Sequence, residues 1–176
     1  MRRLAVGVEY DGGPYSGWQV QSTARSVQAL LEAALSRIAD HPVETTCAGR
    51  TDAGVHARAQ VAHFDTEAVR PRRAWLLGTN NYLPDDISLR WVRPAPDHFH
   101  ARYSARSRTY RYLILNRSAR SALAAGRALL VHQPGVHGDP EMIPVVGALV
   151  NGIAHAIGHR FTELPVTPQK IQEVLA

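Results

Sequence analysis

The sequence predicts an α+β fold, one layer of helices over an antiparallel sheet. Three observations carry that reading: period-two alternation at the start, one strongly amphipathic helical segment, and strand-like runs separated by Gly, Pro and Asp. Residues 3–10 set Leu4, Val6, Val8 and Tyr10 against Arg3, Ala5, Gly7 and Glu9, the pattern of a half-buried strand. Asp11-Gly12-Gly13-Pro14 breaks it. Ser26 is a good N-cap for a helix in which Val27, Leu30, Leu31, Ala34, Leu35 and Ile38 share one face, and His41-Pro42 ends that helix. A short strand, Val43 to Ala48, leads to a polar loop, and Gln60 to Phe64 forms the next strand. A second helix begins near Pro71, a residue suited to a first helical turn, and runs to about Leu83 before Pro84. Ile87 to Val92 makes a further strand. The order is therefore β-α-β-β-α-β, the split pattern of ferredoxin-like and RNA-recognition-type sheets with helices on one face.

Three segments follow. Residues 1–104 form a first lobe that carries the polar loop. Residues 105–134 open an incomplete second subdomain with the strand-like run Thr109 to Leu115. Residues 135–176 form a helical tail of different character, in which Val146, Leu149, Val150, Ile153 and Ile157 fall on one stripe. His155 and His159 are spaced to clasp a metal on a helix, but no third ligand accompanies them, so a surface or capping role is the preferred reading.

Charge separates the segments further. Residues 1–134 hold 18 arginines, no lysine and 11 acids, whereas the tail holds two bases and four acids. The overall charge of +5 thus belongs to the first 134 residues and suggests a polyanionic partner. Arg102, Arg106, Arg108, Arg111, Arg117, Arg120 and Arg127 form a run that reads equally as an electrostatic track or as a solvated face. The single cysteine, Cys47, forms no internal disulfide and reads as a small buried strand residue. With neither a signal-peptide pattern nor a long apolar run, no membrane is expected and the expected location is cytoplasmic.

The strongest local signal is Gly49-Arg50-Thr51-Asp52-Ala53-Gly54, a polar loop between two strands. Taken alone, it reads first as a turn, with Asp52 an Asx-turn residue and Arg50 a surface charge. The second reading is a carboxylate nucleophile or base kept ionised by a neighbouring arginine.

The run Gly49 to Ala57, followed by Gln60-Val61-Ala62-His63-Phe64, resembles the signature of the TruA-type tRNA pseudouridine synthases. The resemblance extends through Val8 to Gly12, Gly17-Trp18-Gln19, Ser26-Val27-Gln28, Asn80 to Ile87, Asp97 to Arg102 and Thr109 to Tyr112, about three quarters of the chain. It implies an isomerase that converts uridine to pseudouridine at positions 38–40 of the tRNA anticodon stem-loop, with Asp52 as catalytic aspartate. It also implies Tyr110 and Arg50 as substrate-binding residues, no cofactor or metal, and a homodimer. The family continues for roughly another hundred residues beyond Pro134 and completes a second sheet, which the resemblance leads one to expect missing here. Here Gly138 to Glu141, Asn151 to Ile153 and Arg160 to Pro168 instead resemble the extreme C-terminus of molybdenum hydroxylase large subunits, with no evident pterin or metal ligand. The alternative expectation is an impaired truncated or fusion product that retains at most RNA binding.

Overall fold

The computed structural model describes residues 1–131, in two units: Met1–Tyr112, and a second that begins at Leu113. The first contains β1 (Arg2–Tyr10), α1 (Val27–Ala39), β2 (Thr46–Cys47), β3 (Ala57–Thr66), a π-helical turn (Ala74–Gly78) that runs into α2 (Thr79–Tyr82), and β4 (Ile87–Ala95). Its sheet has the order β2-β3-β1-β4, with every neighbouring pair antiparallel. The expected α+β class is what is observed. Among the described residues, the second unit contributes β5 (Ile114–Asn116) and β6 (Leu129–Val131), a parallel pair.

The central strand β1 follows from its alternation. Leu4 lies opposite Phe64, Val6 opposite Ala62 and Val92, Val8 opposite Leu89, and Tyr10 opposite Ile87. All of these side chains are buried, and they share one core with Val27, Leu31 and Leu35 of α1 and with Trp75, whose ring centroid lies 5.3 Å from that of Phe64. Full burial of each such side chain contributes roughly 1.5–3 kcal/mol, which sets α1 on the sheet. Ser26 caps α1 as expected, its Oγ accepting from Ala29 N, and the helix ends where Asp40 turns left-handed at φ 62°.

Three elements differ from expectation. The strand over Val43–Ala48 shrinks to Thr46–Cys47 because α1 takes its backbone donors: Val43 N–H goes to Ser36 Oγ at 2.9 Å and Thr45 N–H to Glu32 Oε1 at 2.7 Å. The helix expected from Pro71 to Leu83 contains the π-helical turn, after which Gly78 packs against Ile38 so closely that an added Cβ would lie 2.8 Å from Cδ1. The strand expected over Thr109–Leu115 begins only at Ile114. The residues of the tail, with His155 and His159, lie outside the described residues.

The other face of β1 has its own constraint at Gly7, where an added Cβ would sit 2.2 Å from Trp91 Nε1. The indole lies across the strand because nothing projects there. Gly7→Ala should destabilise the protein by about 1–3 kcal/mol through overpacking. In a double-mutant cycle measured by urea unfolding, Trp91→Ala should remove most of that cost; additive losses would show that the clash is not the cause.

A clamped carboxylate loop beside a basic cleft

The loop between β2 and β3 is anchored at both ends by its own sheet. Ala48 N–H donates to Val61 O at 2.7 Å, and the Gln60 amide bridges Gly49, donating to its carbonyl and accepting from its N–H. Its middle is held by the end of β1 and the segment between β1 and α1. Trp18 N–H donates to Thr51 O at 2.9 Å, Gly54 N–H to Tyr15 O at 3.2 Å, and the Tyr10 and Thr51 hydroxyls lie 2.8 Å apart. Val55 N–H returns to Asp52 O at 3.2 Å, closing a turn completed by Gly54 at φ 78°.

Two glycines make this approach possible. A Cβ on Gly12 would lie 2.0 Å from Val55 O, and one on Gly17 would lie 2.5 Å from Thr51 O. Gly17 also has φ 94°, a conformation that L side chains rarely adopt. His56 Nδ1 completes the clamp, 3.1 Å from Gly12 N and 2.9 Å from Asp11 Oδ1. Tyr15, buried below, donates its hydroxyl to Asp86, with the Arg25 guanidinium 4.8 Å from its ring centroid. Burial first, and then the bond to the Asp86 carboxylate, push the Tyr15 phenol well above the ordinary tyrosine range. It stays a neutral donor.

Beside the loop opens a cleft of about 500 Å³. Trp18, Gln28, Cys47, Arg50, Arg108 and Tyr110 are among the residues that line it. Burial raises the Cys47 thiol, opposed by the Arg50 charge. The thiol is thus kept protonated, which agrees with the expected buried-strand role. Arg108 spans the cleft wall, its Nε donating to Ala48 O at 2.9 Å and its Nη2 to Arg102 O at 3.0 Å.

Of the residues singled out in the sequence, Arg50 and Tyr110 come together in this cleft, with Tyr110 Oη close enough to touch a Cβ on Gly49 at 3.7 Å. Asp52 does not line it. Its side chain is exposed at the crest of the clamped turn, and among the described residues it forms no ion pair with Arg50. The expected arginine partnership is absent because water solvates an exposed carboxylate without help. Sequence reasoning gave no role to Gly12, Gly17, Tyr15 or Gln60, although the stretches Val8–Gly12 and Gly17–Gln19 already stood out. Arg108 belongs to the run that reads equally as an electrostatic track or a solvated face, and its guanidinium donates to two backbone carbonyls. Among the described residues, no group of three or more His, Cys, Asp and Glu is placed to hold a metal, and no helix is long and apolar enough to cross a membrane.

An antiparallel α+β domain that presents a rigid carboxylate turn beside an arginine-lined cleft fits a protein that handles a polyanionic substrate. Comparison with known families is decisive on class: the description of the tRNA pseudouridine synthase family matches residues 7–104, and the chain belongs to that family. Among its relatives, tRNA pseudouridine synthase A of Methylococcus capsulatus is 58% identical over 132 residues, covering 75% of this chain and 49% of the relative. The Buchnera aphidicola protein of the same name is 60% identical over 121 residues, covering 69% and 46%, and that of Hydrogenovibrio crunogenus is 54% identical over 134 residues, covering 76% and 51%. The chain spans about half the length of the curated relatives it matches.

Gly17→Ala should cost more than about 1–2 kcal/mol, the penalty of the left-handed backbone alone, because the methyl also meets Thr51 O. Gly13→Ala, whose nearest neighbour is the Asp11 carboxylate at 3.2 Å, is the comparison and should be nearly neutral. Thermal melting of the two variants decides, and equal midpoints would show that Gly17 does not constrain the loop.

Proposed function

We propose that this chain acts in tRNA pseudouridine synthesis, with Asp52 as the catalytic carboxylate and Arg50 and Tyr110 as substrate-binding residues. The observation that carries the reading is the location of the clamped Asp52 turn: it lies within the family-matched residues and beside a cleft that holds Arg50 and Tyr110. The reaction isomerises uridine: the C1′–N1 bond breaks, the uracil rotates, a C1′–C5 bond forms, and the C5 proton is replaced by one on N1. Atoms and electrons balance, so the reading needs neither a redox cofactor nor a metal. A carboxylate serves either as a nucleophile toward the sugar or base, or as a base that removes a sugar proton. Tyr110, 60% exposed, offers an aromatic platform for a base displaced from its stack, and Arg50 offers a charge for phosphate or for the vacated position.

The substrate in this reading is the tRNA anticodon stem-loop at positions 38–40, acted on by a cytoplasmic homodimer. Support for the location and partner comes from the single cysteine, the basic charge of the first 134 residues and the names of the relatives. The same reading takes the sheet as the ferredoxin-like unit, in keeping with its strand order.

Asp52→Asn keeps the shape and removes the charge, so pseudouridine formation on anticodon stem-loop RNA should cease while binding stays within about threefold. Turnover within about tenfold of the parent would remove Asp52 from the chemistry, and a parent that binds without turnover would be a binding module. Affinity should also fall steeply between low and physiological salt, since each neutralised phosphate releases counterion. Replacing exposed Arg106 by Ala should flatten that dependence, and a salt-insensitive affinity would dispose of the electrostatic track.

A further inference from the structure

The face of the sheet turned away from α1 is crossed by the segment that follows β4, and a half-buried arginine and a buried histidine hold that segment at two points. The first is Arg3, which sits opposite Asp65 in the β1–β3 register. Its guanidinium binds both Asp65 carboxylate oxygens, at 2.8 and 2.6 Å, and its third nitrogen donates to Asp97 O at 2.6 Å and Phe99 O at 2.7 Å. The second is His63 on β3, 5% exposed, whose Nδ1 accepts the Ala101 N–H at 3.1 Å, Ala101 itself being 1% exposed. The Phe99 ring meets His63 edge-on at 5.9 Å, and His100 covers it at 4.9 Å. Farther along, Arg108 ties Arg102 O to Ala48 O, and Tyr110 reaches Gly49. The segment is therefore a strap. It starts at the β4 end of the sheet, passes under β1 and β3, and delivers Arg108 and Tyr110 to the loop that carries Asp52.

We propose that His63 is a positioning residue for the cleft, its neutral imidazole accepting the Ala101 N–H so that the strap holds Arg108 and Tyr110 against the Ala48–Gly49 backbone. The inference builds on the reading of Tyr110 as a substrate-binding residue. Geometry favours an acceptor role over simple packing: a buried N–H needs a partner, and His63 Nδ1 is the one Ala101 has. Register adds to this, because His63 pairs with Thr46 on β2, two residues before Ala48, so one side chain touches both the strand entering the loop and the strap closing over it. The groups facing the imidazole are Arg3 from β1, Asp65 from β3, His100 from the strap and the Thr46 backbone from β2. Burial, followed by the Arg3 and His100 charges, lowers its pKa, opposed by Asp65 and the Thr46 hydrogen bond. The ring stays neutral at pH 7 and can accept.

The experiment follows Tyr110 directly in the full chain labelled with 3-fluorotyrosine, its fluorine resonance assigned by Tyr110→Phe. His63→Leu removes the acceptor and should move the Tyr110 resonance toward that of free fluorotyrosine. It should also weaken binding of anticodon stem-loop RNA by about tenfold, the scale of one buried N–H left without a partner. His63→Asn, whose amide oxygen can take the place of Nδ1, should restore both. An unmoved Tyr110 resonance in folded His63→Leu would overturn the proposal, and so would a His63→Asn variant as displaced as His63→Leu. Should His63→Leu fail to fold, a pH series decides. Below about pH 6.5 the unfolded chain takes up a proton that the folded one resists, so stability falls; once His63 itself is protonated the Ala101 bond is lost. Lowering the pH from 7.5 until the His63 imidazole resonance itself titrates should then shift the parent's Tyr110 resonance, while that of His63→Asn stays in place over the same range. Equal behaviour of the two would refute the role. A parent that binds no stem-loop RNA would instead count against the proposed function, since the resonance reads strap position without any RNA.

Discussion

Two stretches of backbone meet without side chains between them, and the candidate site depends on that contact. Gly12 and Gly17 let residues 11–18 lie against residues 51–55 at distances that no Cβ would permit. Three hydrogen bonds to Thr51 and Gly54 become possible as a result. Fixing a residue's backbone costs roughly 1–2 kcal/mol in conformational entropy, so a polar loop left to itself would not keep one shape. Here the cost is spread over bonds that terminate on β1, on β3 and on the segment that joins β1 to α1. The turn at Asp52 inherits the rigidity of the sheet although none of its residues enters the core.

The arginines show how a basic composition divides its labour. Arg3 spends four of its five N–H donors on Asp65 and two carbonyls, Arg25 covers the Tyr15 ring, and Arg108 joins two carbonyls across the cleft wall. Lysine, with a compact ammonium on a flexible stem, would reproduce none of these multidentate contacts. The hydrogen-bonding capacity left for a polyanion's phosphates is therefore smaller than the number of arginines suggests. It lies on exposed side chains such as Arg50, Arg102 and Arg106.

What was legible in the sequence was local. The Ser26 cap and the stripe from Val27 to Ile38 gave α1 nearly to the residue, and the alternation from Leu4 to Tyr10 gave β1 and its buried face. The shortened β2 was not legible, because Glu32 and Ser36 belong to another element and remove its donors from a distance of 7 to 13 residues. Nor was the strap, since Asp97 to Arg108 has no hydrophobic period and takes its course from Arg3 and His63, nearly a hundred and about forty residues away. Asp52, Arg50 and Tyr110 stood out through their motif. The glycines that clamp the loop have no side chain to carry a pattern, and their role exists only once the chain has folded back.

The exposure of Asp52 also bears on how such a site would work. A carboxylate in water is well solvated and has little reason to attack a sugar carbon or remove a proton from one. Under the proposed function, the RNA itself would cover the turn and strip that water away, which raises the free energy of the anion within a frame already rigid. The clamp matters most in that circumstance. A loose loop would turn its carboxylate back toward solvent as the substrate arrived, whereas one pinned through Thr51 and Gly54 has nowhere to go. Reactivity gained on covering would then be set by the substrate's fit to the adjoining cleft. In that reading the fit would rest on Arg50 and Tyr110, one carried by the clamped loop and the other by the strap on the opposite face of the sheet.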